Sequence, residues 1–366
     1  MSTPIRILQI VTNMSYGGLE NFIMNNYRNI DRERVQFDFL THFAGHQDYE
    51  EEIAALGGKI YRLPKLNPFD GKYLKQLDAF FASHPEYKVV HSHMNCFSGI
   101  ILKAAKKGGA TTRIAHSHIV LEKKADPEYI LKNILKKDIP KYATDYFACG
   151  EDAGKFMFGK EKFTVINNSI DAAAYRYDPE KARKVREQWG LGDSFVIGHV
   201  GMFRAQKNHP FLFEIVKYIA GKDPSVRLMS VGNGPLFEEM KEKAEQIGVD
   251  KYIVFTDGRE DVPELMQVMD VFVLPSLFEG FPVTMVEAQA AGLPCVISDR
   301  VAKECKLTED VVPLSLDDPL EKWADTILRY KDTERKDNFE LICRAAFDIK
   351  ENAKRLEEFY VGKYNG

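Results

Sequence analysis

Two glutamates frame the run Ser276-Leu-Phe-Glu279-Gly-Phe-Pro-Val-Thr-Met-Val-Glu287-Ala-Gln-Ala-Ala-Gly292, a Glu-x7-Glu spacing. The run follows Val271-Phe-Val-Leu274, a continuous apolar stretch that reads as a buried parallel strand. Gly280 permits a backbone turn, Pro282 suits the first turn of a helix, and residues 284–291 are helix-compatible, with Gly292 and Pro294 to close them. Strand, glycine-containing loop and helix start together present unpaired backbone N–H groups and the positive end of a helix dipole, a setting for phosphate. Glu279 before that point and Glu287 about one turn past it add hydroxyl acceptors on either side. Phosphates between two sets of hydroxyls describe a nucleotide sugar. The bland alternative is a solvated helix face that happens to carry two acids.

Other stretches carry residues able to do chemistry. Asn13-Met-Ser-Tyr16-Gly17-Gly18-Leu-Glu20 follows an apolar run and precedes a helix-permissive one, and paired glycines there let backbone approach a ligand closely. The dinucleotide fingerprint G-x-G-x-x-G is absent, and a purely structural turn remains the alternative. Histidines occur as His91-Ser-His93, with Asn95 just beyond, and as His116-Ser-His118. Residues i and i+2 of a strand share a face, so a metal would need both pairs to converge with a carboxylate. No metal is expected, and hydrogen-bonded structural histidines account for some of the four. His93 and Asn95 are candidates for an acceptor side. No Asp-x-Asp occurs in the chain.

The segment with Glu279-Gly280-Phe281-Pro282 and Glu287 resembles the donor signature of retaining GT-B glycosyltransferases of family four (glycosyltransferase group 1), which include bacterial exopolysaccharide and capsule enzymes. The resemblance spans about residues 5–360. It implies an α/β fold of two Rossmann-like domains facing across a cleft, the last helix crossing back to the first domain. It also implies transfer of a sugar from a nucleotide-diphosphate donor, with UDP favoured over GDP, in a hexosyltransferase-type reaction.

Carried over residue by residue, the resemblance gives Glu287 the ribose hydroxyls and Glu279 the sugar hydroxyls near the reacting centre. Backbone N–H groups around Phe281, Pro282 and Val283 face the diphosphate. Gly17 and Gly18 face it as well, and Asn13 and Tyr16 beside them face the acceptor. His118 matches the histidine that points at the transferred sugar, with His116 as its register-shifted rival. His199-Val-Gly-Met202-Phe-Arg204-Ala-Gln-Lys207 resembles the Gly-Arg-x-x-x-x-Lys segment whose two cations neutralise the leaving diphosphate. Lys207 matches the lysine. Met202 stands at the arginine, and Arg204 would substitute if alternation in an extended segment puts both on one face. Gly232 and Gly234 resemble a loop near the sugar, a tight turn being the alternative, and the base is contacted by Arg259 or by its neighbouring backbone. The rivals are a nucleotide-sugar 2-epimerase on the same architecture and a non-catalytic nucleotide-sugar-binding subunit.

These residues must be held by a scaffold, and apolar runs alternate with helix-permissive stretches in the manner of parallel sheets. Strands are expected at residues 5–11, 37–41, 89–91, 113–115, 147–149 and 163–166, then at 195–200, 227–231, 253–255, 271–274 and 295–297. The polar segment 171–193, with Pro179 and Gly190, separates the two series. An acceptor-side domain is therefore expected over 1–172, joined by a returning helix at about 347–366, and a donor-binding domain over 173–346. Asp348-x-x-Glu351 resembles a capping box opening that helix, with Ile349, Ala353, Leu356 and Tyr360 on one side.

The chain's 366 residues are too many for one core, and 45% hydrophobic with 28% charged residues describes an ordinary globular protein. A net charge of −4 argues against a general nucleic-acid binder. Five scattered cysteines without a C-x-x-C suit reduced thiols, and no apolar run reaches the length of a membrane span. The expected location is the cytoplasm, at most peripheral on the inner face of the cell membrane. Lysines between Lys103 and Lys141, including Lys123, Lys124, Lys132, Lys136 and Lys137, surround an apolar set of Ile130, Leu131, Ile134 and Leu135. That pattern fits either a core-packed helix or a surface for anionic lipid headgroups or a lipid-diphosphate acceptor. The expected partners are thus a nucleotide-sugar donor and a saccharide or lipid-linked saccharide acceptor, with no cofactor.

Overall fold

A computed structural model of the chain describes residues 3–119, 127–259 and 261–365. Lys123 and Lys124 of the basic stretch lie outside the described residues. The chain forms two compact units, residues 1–169 with 349–366 and residues 170–348.

The first unit is built on seven parallel strands, β1 (Ile5–Val11), β2 (Val35–Thr41), β3 (Ile60–Arg62), β4 (Val89–Ser92), β5 (Thr112–Ser117), β6 (Asp145–Ala148) and β7 (Thr164–Val165). Their order in the sheet is β3-β2-β1-β4-β5-β6-β7. β1 and β2 are buried over most of their length, as runs such as Ile7-Leu-Gln-Ile-Val11 require when helices cover both faces. One face packs Leu8, Ile10, Tyr73 and Phe81; the other packs Ile7, Phe22, Tyr27, Phe37 and Tyr360. The Ile349–Asn365 helix belongs to this unit, with Ile349, Ala353, Leu356 and Tyr360 buried. Glu357 ties it to the body by accepting from the Asp31 backbone N–H at 3.0 Å and by pairing with Arg34.

The second unit holds β8 (Val196–Val200), β9 (Arg227–Val231), β10 (Ile253–Thr256), β11 (Val271–Leu274), β12 (Cys295–Ser298) and β13 (Val311–Leu314). All pair in parallel, in the order β10-β9-β8-β11-β12-β13. Each sheet reverses its direction of growth once, between β1 and β4 in the first unit and between β8 and β11 in the second. In open parallel sheets the crevice at the carboxyl ends of such strands is where ligands bind. Apart from Glu287, in the body of a helix, and His116, on β5, the candidate site residues of the sequence fall on loops or helix starts that follow strands. β3 and β13, both at sheet edges, were not expected from the sequence.

Candidate functional site

In the second unit, β11 ends at Leu274 and the chain loops through Pro275–Pro282 into the Val283–Ala290 helix. The helix thus starts one residue earlier than its apolar pattern implied. Pro282 is the capping residue, with φ −72° and ψ 118°, and does not lie within the first turn. The cap carries no side-chain hydrogen bond. Met285 N–H donates back to Pro282 O at 3.0 Å, and with no side-chain cap across them the N–H groups of Val283 and Thr284 at the helix start are left to face a ligand.

Glu279 is fixed from several directions. Its backbone is bridged to Val301, and its N–H donates to Arg300 O at 3.3 Å. The Ser276 hydroxyl donates to Glu279 Oε1 at 3.0 Å, and Lys207 Nζ lies 2.7 Å from the same oxygen. Both charged side chains are largely buried, at 14% and 9% exposure. Here the structure joins two candidates that the sequence placed in separate motifs. Gly201 makes room for Lys207, because a Cβ there would sit 3.0 Å from Lys207 Cε. Asn208 and Gln206 tie the same loop to the Glu279 loop, donating to Pro275 O at 3.1 Å and Phe278 O at 3.0 Å.

Glu287 is partly buried in the body of the helix. Desolvation raises its carboxyl from 4.5 to about 7, while the neighbouring Tyr175 hydroxyl acts in the opposite direction. Phe281 stacks on Phe347 with ring centroids 5.1 Å apart. Val283 is half-buried. Gly280 is exposed, its φ is not positive, and a Cβ there would meet nothing within 4 Å. The fold itself therefore makes no demand for glycine at Gly280.

Arg204 does not lie in an extended strand. β8 ends at Val200, and Met202–Arg204 forms a tight loop in which Arg204 N–H donates to Met202 O at 2.8 Å. Strand alternation does not apply there, so a shared face for Met202 and Arg204 does not follow from spacing; both are exposed. Gly232 and Gly234 have φ of +145° and +157°. A Cβ on Gly234 would lie 2.6 Å from Phe203 O, so these glycines are required by backbone packing against the Met202 loop. Arg259 is held in a two-pronged pair with Asp261 (Nε to Oδ1 2.6 Å) and lies 5.4 Å from the Trp189 ring centre. A base contact from Arg259 would have to compete with Asp261.

In the first unit, Gly17 caps the Gly18–Asn29 helix in an extended conformation. A Cβ on Gly18 would meet nothing within 4 Å, whereas one on Gly17 would meet the Glu20 carboxylate, whose pKa burial raises. Asn13 Oδ1 accepts from Ser15 N–H at 2.9 Å, and the Tyr16 side chain is 71% exposed.

The four histidines do converge. His91 Nε2 lies 3.1 Å from His116 Nδ1, and His93 Nδ1 lies 2.9 Å from His118 Nε2. His93 Nε2 meets Gln9 Oε1 at 2.9 Å and His91 Nδ1 meets the Tyr360 hydroxyl at 2.6 Å. His93 is buried with both nitrogens engaged, so it backs His118 and does not line an acceptor surface as expected. Asn95 likewise turns inward, its Oδ1 accepting from the His118 backbone N–H at 2.8 Å. Ligand atoms of His91, His93 and His116 lie within 4.8 Å of one another, without a carboxylate. Of their ring nitrogens only His116 Nε2 lacks a partner. His116 is fully buried and His118 only partly, so of the two rivals His118 is the one a ligand can reach.

Ser276, Tyr175, Gln9 and Tyr360 are the participants that sequence reasoning missed. Ser276, three residues from Glu279, offered a local signal; the other three meet their partners only through the fold.

Two doubly wound parallel units with these loops at their strand ends define the GT-B class of glycosyltransferases. Solved structures agree: Anabaena HepE in complex with UDP superposes with a TM-score of 0.78 at 18% identity, covering 98% of this chain and 100% of that one. Residues 16–174 match the family model Glycosyltransferase Family 4, and residues 194–332 match Glycosyl transferases group 1. EpsF of Bacillus subtilis (strain 168) is 34% identical over 98% of this chain and 97% of its own. The UDP-Gal:alpha-D-GlcNAc-diphosphoundecaprenol alpha-1,3-galactosyltransferase of Escherichia coli is 26% identical over 75% and 76%. The chain belongs to glycosyltransferase family 4.

Proposed function

We propose that this enzyme is a retaining glycosyltransferase. It moves a sugar from a UDP-sugar to a saccharide or lipid-linked saccharide acceptor during synthesis of a surface polysaccharide. The observation that carries the reading is the buried Lys207–Glu279 pair, steadied by Ser276, with Glu279 four residues before Val283. It sets a cation and an anion beside the uncapped helix start. Lys207 and the first helical N–H groups would take the departing diphosphate without a metal, and Glu279 would hold sugar hydroxyls. Glu287 would accept from the ribose hydroxyls. Glycines at Gly18 and Gly280, which the fold does not need, fit close approach by a ligand. His118 would orient the sugar. In the retaining reaction the acceptor oxygen bonds to the anomeric carbon as its bond to the diphosphate breaks, and the departing phosphate takes the acceptor proton.

UDP as donor is supported by the neighbours, since HepE was also solved with UDP-glucose and the E. coli relative is named for UDP-Gal and a diphosphoundecaprenol-linked acceptor. Among the described residues no helix is long and apolar enough to cross a membrane. The Pro127–Leu135 helix exposes Ile130 and Ile134 (56% and 57%) instead of packing them on the core, which supports an anionic membrane surface as an additional partner.

A thermal-shift panel of UDP-, GDP- and ADP-sugars with EDTA present tests the donor assignment. At about one hundred times its Kd a ligand stabilises by about 2.7 kcal/mol, enough to read. UDP-sugars are expected to shift the wild type and not Glu287→Ala. Indifference to every donor at millimolar concentration would sink the reading. A shift without turnover, even with extracts supplying acceptors, would favour a non-catalytic subunit.

A further inference from the structure

The histidine cluster is a directional hydrogen-bond chain, and its direction is set outside the histidines. Gln9, on β1 and 1% exposed, donates from Nε2 to the Tyr360 hydroxyl at 3.3 Å and accepts at Oε1 from His93 Nε2. A neutral imidazole has one donor and one acceptor nitrogen. With His93 donating from Nε2, its Nδ1 must accept, so His118 Nε2 carries the proton in the 2.9 Å bond between them. On the other arm Tyr360, receiving from Gln9, gives its own proton to His91 Nδ1. His91 then donates from Nε2 to His116 Nδ1, and the unpartnered His116 Nε2 is an N–H. Rotating the Gln9 amide by half a turn would reverse every proton in both arms with the same number of hydrogen bonds.

We propose that Gln9 is a positioning residue for sugar transfer: its amide holds His118 as the Nε2–H tautomer and so leaves Nδ1 as an acceptor for a hydroxyl of the donor sugar. The proposal rests on the transferase reading of His118. His118 Nδ1 has no hydrogen-bond partner among the described residues, its ring is partly exposed, and its backbone is fixed by Asn95. Burial holds all four imidazoles neutral, with His118 lowered to about 3 and the others well below their ordinary value, so a fixed tautomer persists across physiological pH.

Long-range ¹H–¹⁵N correlation spectra of the full chain labelled in histidine read each tautomer without any substrate, and His118→Ala assigns the His118 signals. The expected result is His118 protonated at Nε2 in the wild type and in Gln9→Glu, which keeps an acceptor toward His93, and a mixture in Gln9→Met. In turnover, Gln9→Met should lower kcat about tenfold or more with donor KM nearly unchanged, and Gln9→Glu should recover most of it. A wild-type His118 protonated at Nδ1 overturns the proposal, as does equal kcat for Gln9→Met and Gln9→Glu. If no donor binds at all, the transferase reading fails instead, while the spectra still decide whether Gln9 sets the tautomer.

Discussion

Burial pushes the Glu287 carboxyl up to about 7, so the folded protein keeps a proton there that the unfolded chain releases near 4.5. The folded state then binds more protons than the unfolded one between these values, and stability falls as pH rises through that window. Glu287→Gln keeps the shape without the ionisation. It is expected to melt above the wild type at about pH 8, with the gap closed by about pH 5 in a scanning experiment. UDP affinity should run the other way in the wild type, strengthening as the carboxylate forms, and stay flat and weak in the variant by calorimetric titration. Lys207→Met leaves Glu279 with only the Ser276 hydroxyl, and transfer should drop about 100- to 1,000-fold, the usual loss for one charge-stabilising group. A drop under about threefold would remove Lys207 from the chemistry. These three residues were legible because Glu279 and Glu287 sit in one local run and Lys207 in a recognisable segment. Tyr175 and Gln9 were not, because an ordinary tyrosine or glutamine becomes informative only when a distant element delivers its partner.

Glycines separate the demands of folding from those of binding at the level of loops and helix starts. Gly232 adopts a φ that side chains avoid, and its Cβ would run into Gly201 O, so Gly232→Ala should cost about 1–3 kcal/mol and lower Tm by several degrees. Gly280→Ala has open space and an ordinary φ, so its Tm should match the wild type while donor affinity falls. Equal donor affinity in Gly280→Ala and wild type would show that no ligand comes near this loop. The expected strands at residues 5–11, 227–231 and 271–274 coincide with β1, β9 and β11 because central strands buried on both faces carry unbroken apolar runs. β3 and β13 escaped because neither carries such a run: Ile60-Tyr-Arg62 is short, and Val311-Val-Pro-Leu314 contains a proline that only an edge tolerates. The Met202 loop misled for a related reason, since alternation holds only while the chain remains a strand.

For the molecule as a whole, two series of parallel strands with a polar segment between them made the two-unit α/β architecture readable, and the buried stripe of Ile349, Ala353, Leu356 and Tyr360 marked a packing helix. What the helix covers needed three dimensions: Tyr360 reaches Phe37, His91 and Gln9. Removing residues 349–366 uncovers that apolar face of the first unit. The shortened chain should bind a hydrophobic dye and lose soluble yield; full solubility with unchanged melting would show that the first unit does not need the helix. The passage out of the first unit at Ser169–Ile170 and back at Asp348–Ile349 also bears on biosynthesis. Domains generally fold in the order in which the ribosome makes them, at about 5–20 residues per second. Here the helix that completes the earlier-begun unit is translated after every residue of the later one. The first unit therefore waits with one apolar face open until its last helix is made, the interval in which a chaperone has most to protect.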